Sequence, residues 1–453
     1  MSIITTSSTS TAGTEPLQGS LPEAHQPLQR IRLFSLASVQ MRSFHITWLM
    51  FFVCFFGWFG LAPLMPTIRA DLGLTKAQVG NIIIASVTCT ILARLIIGRL
   101  CDLYGPRKTA VRLLLIGSIP VFLVGLSKDY TGFLLFRLAI GVIGASFVIT
   151  QFHTSMMFAS KIKGTANAIT GGWGNLGGGV TNMVMPLVFA AIVGAGYTPH
   201  MAWRYAMILP GTMMLIMAFL YHRYTKDTPA GNFDETGRSR QAAGKTDWSA
   251  LADRRVAALT IAYAMCFGME ITFDNVAALH FVDTFKLSQS SAGFWAGIFG
   301  FMNIFARALG GIASDKVGHR RGMKGKGLLL AIMLLLEGLG LLAFASAGSF
   351  TLAILSMLSF ALFLKMANGA TYGIVPFVNE KNVGLISGVV GAGGNLGGML
   401  FGFLFRFASV SYVQAFQYIG YAVILVSLIV LITKFKRLSA RAEEISLADA
   451  AVA

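Results

Sequence analysis

The sequence predicts an all-α membrane protein with twelve transmembrane helices in two pseudo-symmetric six-helix bundles. Three observations carry that expectation. Of 453 residues, 55% are hydrophobic and only 12% are charged, against about 25% charged in a soluble domain, and the mean hydropathy is +0.69. Apolar runs of the roughly 20 residues that a spanning helix needs recur along most of the chain. A charged string that ends the second run returns at the end of the eighth, which is the internal repeat of many transporters.

The elements follow in order. Residues 1–43 are polar, rich in Ser and Thr, and read as a disordered cytoplasmic tail. No apolar core precedes a small-residue cleavage site there, so a secretory signal is not expected. Residues 44–224 form the first bundle, with spans near 44–66, 78–100, 108–127, 131–158, 164–193 and 204–224. Residues 225–254 are a polar cytoplasmic linker. Residues 255–435 form the second bundle, with spans near 255–283, 289–313, 326–346, 350–377, 381–409 and 413–435. Residues 436–453 are a cytoplasmic tail.

Lys and Arg set the orientation. They crowd the loops after span two (Arg99, Arg107, Lys108, Arg112), span four (Lys161, Lys163) and span eight (Lys316, Arg320, Arg321, Lys324, Lys326), and the chain after span twelve. The alternate loops are nearly bare. Both termini are therefore expected in the cytoplasm of a multi-pass protein of the cell membrane. The net charge of +17 comes from these clusters and gives no basic surface interleaved with aromatics, so nucleic acid is not an expected partner. The four cysteines lie in or beside apolar runs without metal spacing and read as small buried residues. No nucleophile–base constellation and no cofactor motif is present, which argues against an enzyme.

Two stretches are unusual for membrane spans. GGWGNLGGG runs from Gly171 to Gly179, and GAGGNLGG from Gly391 to Gly398, each inside an apolar run. Small residues four apart make a smooth helix face that lets backbones approach closely in lipid. Gly174 and Gly178 have that spacing, as do Gly394 and Gly398, and Gly171, Gly172, Gly177 and Gly397 widen the faces. Asn175 and Asn395 stand at matching mid-span places, a polar side chain there needs a partner or a ligand, and both are candidates for direct anion contact.

ILARLIIGRLCDLYGPRK and IFARALGGIASDKVGHRR are the repeated strings. They pair Arg94 with Arg307, Gly98 with Gly311, Asp102 with Asp315, Gly105 with Gly318 and Arg107 with Arg320. The last four pairs lie at helix ends, too shallow for a substrate, and read as a gate that latches helices in one conformation. The arginines lie deeper. Two cations facing one cavity repel unless an anion sits between them, and the planar guanidinium fork suits a planar oxyanion. The alternative is structural salt bridging, with Glu270 or Asp274 as partners.

Together these features resemble the major facilitator superfamily, which carries this loop motif. Within it they resemble the nitrate/nitrite porter family, whose two glycine signatures GGWGNLGGG and GAGGNLGG are similar to. APLMPTIRADLGLT, CDLYGPR, TQFHTSMMFA and FGMEITFDNVAALHFVD resemble its high-affinity assimilatory branch. The resemblance implies a secondary transporter that takes up nitrate, and nitrite too, by alternating access, acting as a monomer in the lipid bilayer. It implies substrate binding by Arg94 and Arg307, with Tyr263, Phe267, Phe147 and Phe55 as pocket aromatics. Another small inorganic anion is the alternative cargo.

Uptake of an anion into a negative-inside cell costs about 2.3 kcal/mol per charge per 100 mV, so protons are the expected co-substrate. Glu270 and Asp274, one turn apart, are the candidate carriers, with His153 and Glu337 behind them. Arg137 and Lys365 are the cations available to pair with those carboxylates. Nitrate/nitrite exchange, which needs no titrating residue, is the other mechanism open.

Overall fold

A computed structural model describes residues 26–236, 248–379 and 383–435. The expected tail 436–453 and residues 1–25 lie outside the described residues, as does the middle of the linker. Among the described residues the chain is helical, with ten stretches long and apolar enough to cross a membrane. The helices are α1 (Val39–Phe59), α2 (Met65–Asp71), α3 (Lys76–Leu123), α4 (Tyr130–Ile140), α5 (Ser146–Met157), α6 (Ser160–Gly194), α7 (Pro199–Ala206) and α8 (Ile208–Tyr224). After them come α9 (Phe233–Thr236), α10 (Arg254–Phe285), α11 (Gln289–Phe301), α12 (Ala306–Ala345), α13 (Phe350–Tyr372), α14 (Val383–Arg406) and α15 (Tyr412–Ile432).

Two of the ten stretches are each long enough for two crossings. Lys76–Leu126 has 51 residues and Gln289–Ala345 has 57, while one crossing takes about 20. Each contains a glycine that reverses the chain: Gly105 (φ 81, ψ 157) and Gly322 (φ 61, ψ −159). These are backbone angles that a side chain rarely tolerates, so each stretch holds two spans and the total is twelve. The second turn is offset from its place in the repeat. Gly318, the match of Gly105, keeps helical geometry beneath the Lys326 side chain. The string after it, GHRRGMKGKG, supplies a later glycine, and Lys326 returns across the turn to Asp315 at 2.8 Å.

The spans that start opposite the linker share one device. Thr75, Asp129, Thr198, Ser288, Ser349 and Ser411 each accept a bond from a backbone N–H of the first turn. Such caps satisfy donors that lipid cannot, and they let the loops on this far face stay short. On the linker face the N-terminal chain is ordered earlier than expected. Leu28 pairs with the backbone of Met157 and Ala159, and Ser38 caps α1.

The two bundles meet most closely towards the far face. Arg69 and Asp283 form a bidentate ion pair at 2.7 Å, Thr67 donates to Gln289 at 2.6 Å, and Lys76 bonds the Val410 carbonyl. Glycines bring backbones together there. A Cβ added to Gly179 would lie 2.6 Å from Gly300, and one on Gly80 would lie 2.3 Å from Arg406 Cα. The APLMPTIRADLGLT and FGMEITFDNVAALHFVD strings supply the Arg69–Asp283 pair.

Candidate functional site

Arg94 and Arg307 converge on one ring. The guanidinium carbon of each lies 5.9 Å from the Phe267 centroid, so the pair sits within about twice that distance across the bundle interface. Both are buried. Phe267 stacks on Tyr263 with centroids 5.1 Å apart and an interplanar angle of 6°. Gly394 makes that possible, because a Cβ there would sit 2.6 Å from Phe267 and 2.8 Å from Tyr263. Phe147 covers Arg94 from the first bundle at 5.2 Å.

Among the described residues the arginines make no ion pair, and neither Glu270 nor Asp274 bonds them. Arg94 donates to the Gly391 carbonyl at 2.7 Å. With its amide oxygen facing the guanidinium, Asn395 accepts from Nε at 2.9 Å, Nη1 at 2.9 Å and Nη2 at 3.2 Å; this orientation satisfies the network. Arg307 donates from Nη2 to the Tyr263 hydroxyl at 2.7 Å, and its Nη1 has no partner. Asn175 is buried with both amide atoms unpaired. An unmet amide in lipid-depth protein costs about 1–3 kcal/mol, so its donor and acceptor suit a polar ligand. Phe55 lies a layer back, packed on Phe51, Trp58 and Phe59.

The signature glycines divide their work. Gly174 and Gly177 admit Phe51 and the Phe52 carbonyl of α1, and Gly397 and Gly398 admit α10 at Ala264 and Ile271. Gly172 faces the Asn303 carbonyl and Arg307 across the bundle interface. Gly171 has room, with its nearest neighbours at 3.6 Å and beyond, and Gly178 faces Asp274.

The titratable candidates separate. Glu270 accepts from Lys365 at 3.0 Å, Asn303 at 2.7 Å and Asn368 at 2.7 Å. Asp274 keeps one carboxyl oxygen without a partner, and Glu337 keeps both. Of the two cations available to the carboxylates, Lys365 takes Glu270 and Arg137 pairs with neither among the described residues. It bonds the Trp58 carbonyl and donates to Asn275 at 2.7 Å, because Asn275, one residue beyond Asp274, turns the amide and not the acid towards it. His153 is held by Thr47, Tyr221 and the Lys226 carbonyl.

The loop motif is held from the linker. Asp227 accepts from the Arg107 amide at 2.8 Å and from the Phe233 amide at 3.0 Å. Gly98 and Gly311 face Val148 and the Gly369 carbonyl at ordinary contact distance, 3.7 and 3.9 Å from an added Cβ. Asp102 is exposed and makes no hydrogen bond or ion pair among the described residues, as is true of Arg320. Asp315 and Arg107, by contrast, are engaged, with Lys326 at 2.8 Å and with the His222 carbonyl at 2.9 Å respectively.

Four of these residues were not singled out from sequence. Asn303 stands one turn before Arg307, and Asn368 follows Lys365 by three residues, so polar groups at helical spacing in apolar runs were the available signal. Tyr372 packs edge-on to Tyr263 at 5.1 Å and to Phe147 at 6.2 Å, and nothing in its local sequence marks it. Asp227 sits in the linker without a motif.

Comparison with known proteins agrees with this architecture. The sequence matches the Major Facilitator Superfamily over residues 47–336. It is 39% identical over 395 residues to High affinity nitrate transporter 2.5 of Arabidopsis thaliana, covering 86% of this chain and 79% of that one. It is 40% identical over 382 residues to High-affinity nitrate transporter 2.3 of Oryza sativa subsp. japonica, covering 82% and 73%. The Nitrate/nitrite transporter NrtP of Picosynechococcus is 30% identical over 449 residues, covering 79% and 83%. Among solved structures, a D-xylose-proton symporter superposes with TM-score 0.67 at 16% identity, covering 88% of this chain and 100% of that one. From the repeated arginine pair, the doubled glycine signature and these relatives it follows that the chain belongs to the Major Facilitator Superfamily and, within it, to the nitrate/nitrite porter family.

Proposed function

We propose that this protein takes up nitrate, and nitrite as well, across the cell membrane as a proton-coupled symporter working by alternating access. One observation supports it above the rest: two buried guanidinium groups flank a single aromatic ring, and one of them keeps a free N–H edge, while the buried Asn175 amide of the first bundle is also unpaired. A flat oxyanion suits that setting, with its edge on the Arg307 fork and its face on Phe267. The relatives carry the same substrate in their names.

With the linker face taken as cytoplasmic, the far-face contacts seal the outer side, and the conformation faces inward. In this reading Asn395 occupies the Arg94 donors once the anion has gone. The gate residues Asp102 and Arg320 would engage when the halves close on the cytoplasmic side. Glu270, Asp274, Arg137 and Lys365 form the coupling region.

Labelled nitrate uptake into proteoliposomes tests the reading. Saturable uptake that nitrite competes and that an imposed inward pH gradient accelerates is expected. Absence of saturable nitrate uptake overturns the substrate, and flux supported by counter-loaded nitrite but indifferent to the pH gradient overturns symport in favour of exchange.

A further inference from the structure

The buried charges beside the arginine pair fall into two kinds. Glu270 is a fixed group: Lys365 neutralises it, and two asparagine amides fill its oxygens. Asp274, one turn along α10, is buried too, but its Oδ1 has no partner. Its other oxygen faces α6 of the first bundle, where a Cβ on Gly178 would lie 3.1 Å away. The Asp274 backbone carbonyl accepts from Asn182 of the same helix at 3.5 Å. Asp274 therefore stands in the seam between the bundles, on the side of the far-face closure.

The charged surroundings of that seam are few. Glu270 lies on the same helix and Lys365 comes from α13. Arg137 from α4 reaches the neighbouring Asn275 and the Trp58 carbonyl. The first bundle offers Gly178, Asn182 and Phe59, which do not titrate. Glu337 on α12 faces Glu270 from inside the second bundle and away from the seam.

We infer that Asp274 is the residue that carries the coupling proton, alternately wetted as the seam beside Gly178 opens and closes, while Glu270 serves as the permanent counter-ion of Lys365. The inference rests on the symport reading. When the halves part at the far face, outer water reaches the Asp274 carboxylate and a proton binds its oxygen. Closure against Gly178 then expels water. Burying an unpaired carboxylate costs far more than burying the neutral acid, so the seam closes readily only on the protonated group. The same proton leaves to water in a further-opened cytoplasmic-facing state after the anion has gone, because the carboxyl is still buried in the conformation seen here. The glycine at 178 matters because any side chain there would cover the carboxyl.

The test uses the full chain in proteoliposomes and reads two fluxes: nitrate accumulation driven by an inward pH gradient, and exchange of labelled for unlabelled nitrate at equal pH. Asp274→Asn keeps the shape of the neutral acid. It is expected to lose gradient-driven accumulation by about tenfold or more while exchange stays within about threefold of wild type, and Asp274→Glu is expected to recover the gradient response. Unimpaired gradient-driven accumulation in Asp274→Asn overturns the inference. Loss of exchange in Asp274→Asn also overturns it, whether or not Asp274→Glu restores exchange, because the residue is then structural or needed for binding. Failure of the symport reading is read separately, on the wild type, as accumulation that ignores the gradient.

Discussion

Arg94 and Arg307 occupy equivalent places in the two bundles, yet their surroundings differ. Arg94 rides an unbroken helix, and its donors are taken by Asn395 and the Gly391 carbonyl. Arg307 follows a break, where a short 3₁₀ turn at Met302–Ile304 interrupts the span. It bonds Tyr263 and leaves Nη1 open, and Asn175, the counterpart of Asn395, reaches nothing. The carboxylates follow the same bias, since Glu270, Asp274 and Glu337 all lie in the second bundle. Repeated sequence thus yields two arginines at one interface, Arg94 engaged by protein and Arg307 with one N–H edge open, beside buried carboxylates that the second bundle alone supplies among these residues.

The arginines give the largest expected effect. Arg307→Lys removes the open fork and should lower kcat/KM for nitrate by about 100-fold, the scale of losing charge-assisted bonds of about 1.5–3 kcal/mol. Arg94→Lys should be comparably inactive but also less stable, because it loses the bonds to Asn395. Equal thermal stability of the two variants, read by melting of the purified protein, would break the asymmetry.

The asparagines sharpen the comparison at a smaller scale. Asn175→Ala removes an unpaired amide, so melting should be unchanged or raised while nitrate affinity falls by about tenfold. Asn395→Ala frees Arg94 and should lower the melting temperature. If Asn175→Ala destabilises as much as Asn395→Ala, the Asn175 amide is not unpaired.

The turns give the smallest effects. Gly105→Ala should cost about 1–3 kcal/mol through its positive φ, aggravated by Asp227, which lies 2.5 Å from the added Cβ. Gly318→Ala should cost well under that, since only the end of the flexible Lys326 chain must move. Equal losses in denaturant midpoint would mean that Gly318 is as constrained as Gly105.

Sequence by itself determined the twelve spans, the two halves and the arginine pair. Apolar length and Lys/Arg spacing act locally, and lipid permits few ways to satisfy a backbone. It also marked the glycine signatures, because four-residue spacing is a property of one helix. Only the tertiary structure decided which groups meet. Lys365 and Glu270 are 95 residues apart, and local sequence does not rank Lys365 above Arg137 as the partner. Tyr372, Asn303 and Asn368 gain their meaning from what packs against them. The turn at Gly322 depends on a lysine returning to Asp315. Symmetry in sequence reports common geometry, whereas the pairing of each buried charge is fixed by helices crossing at depth, where an unmatched polar group is costly enough to choose its neighbour.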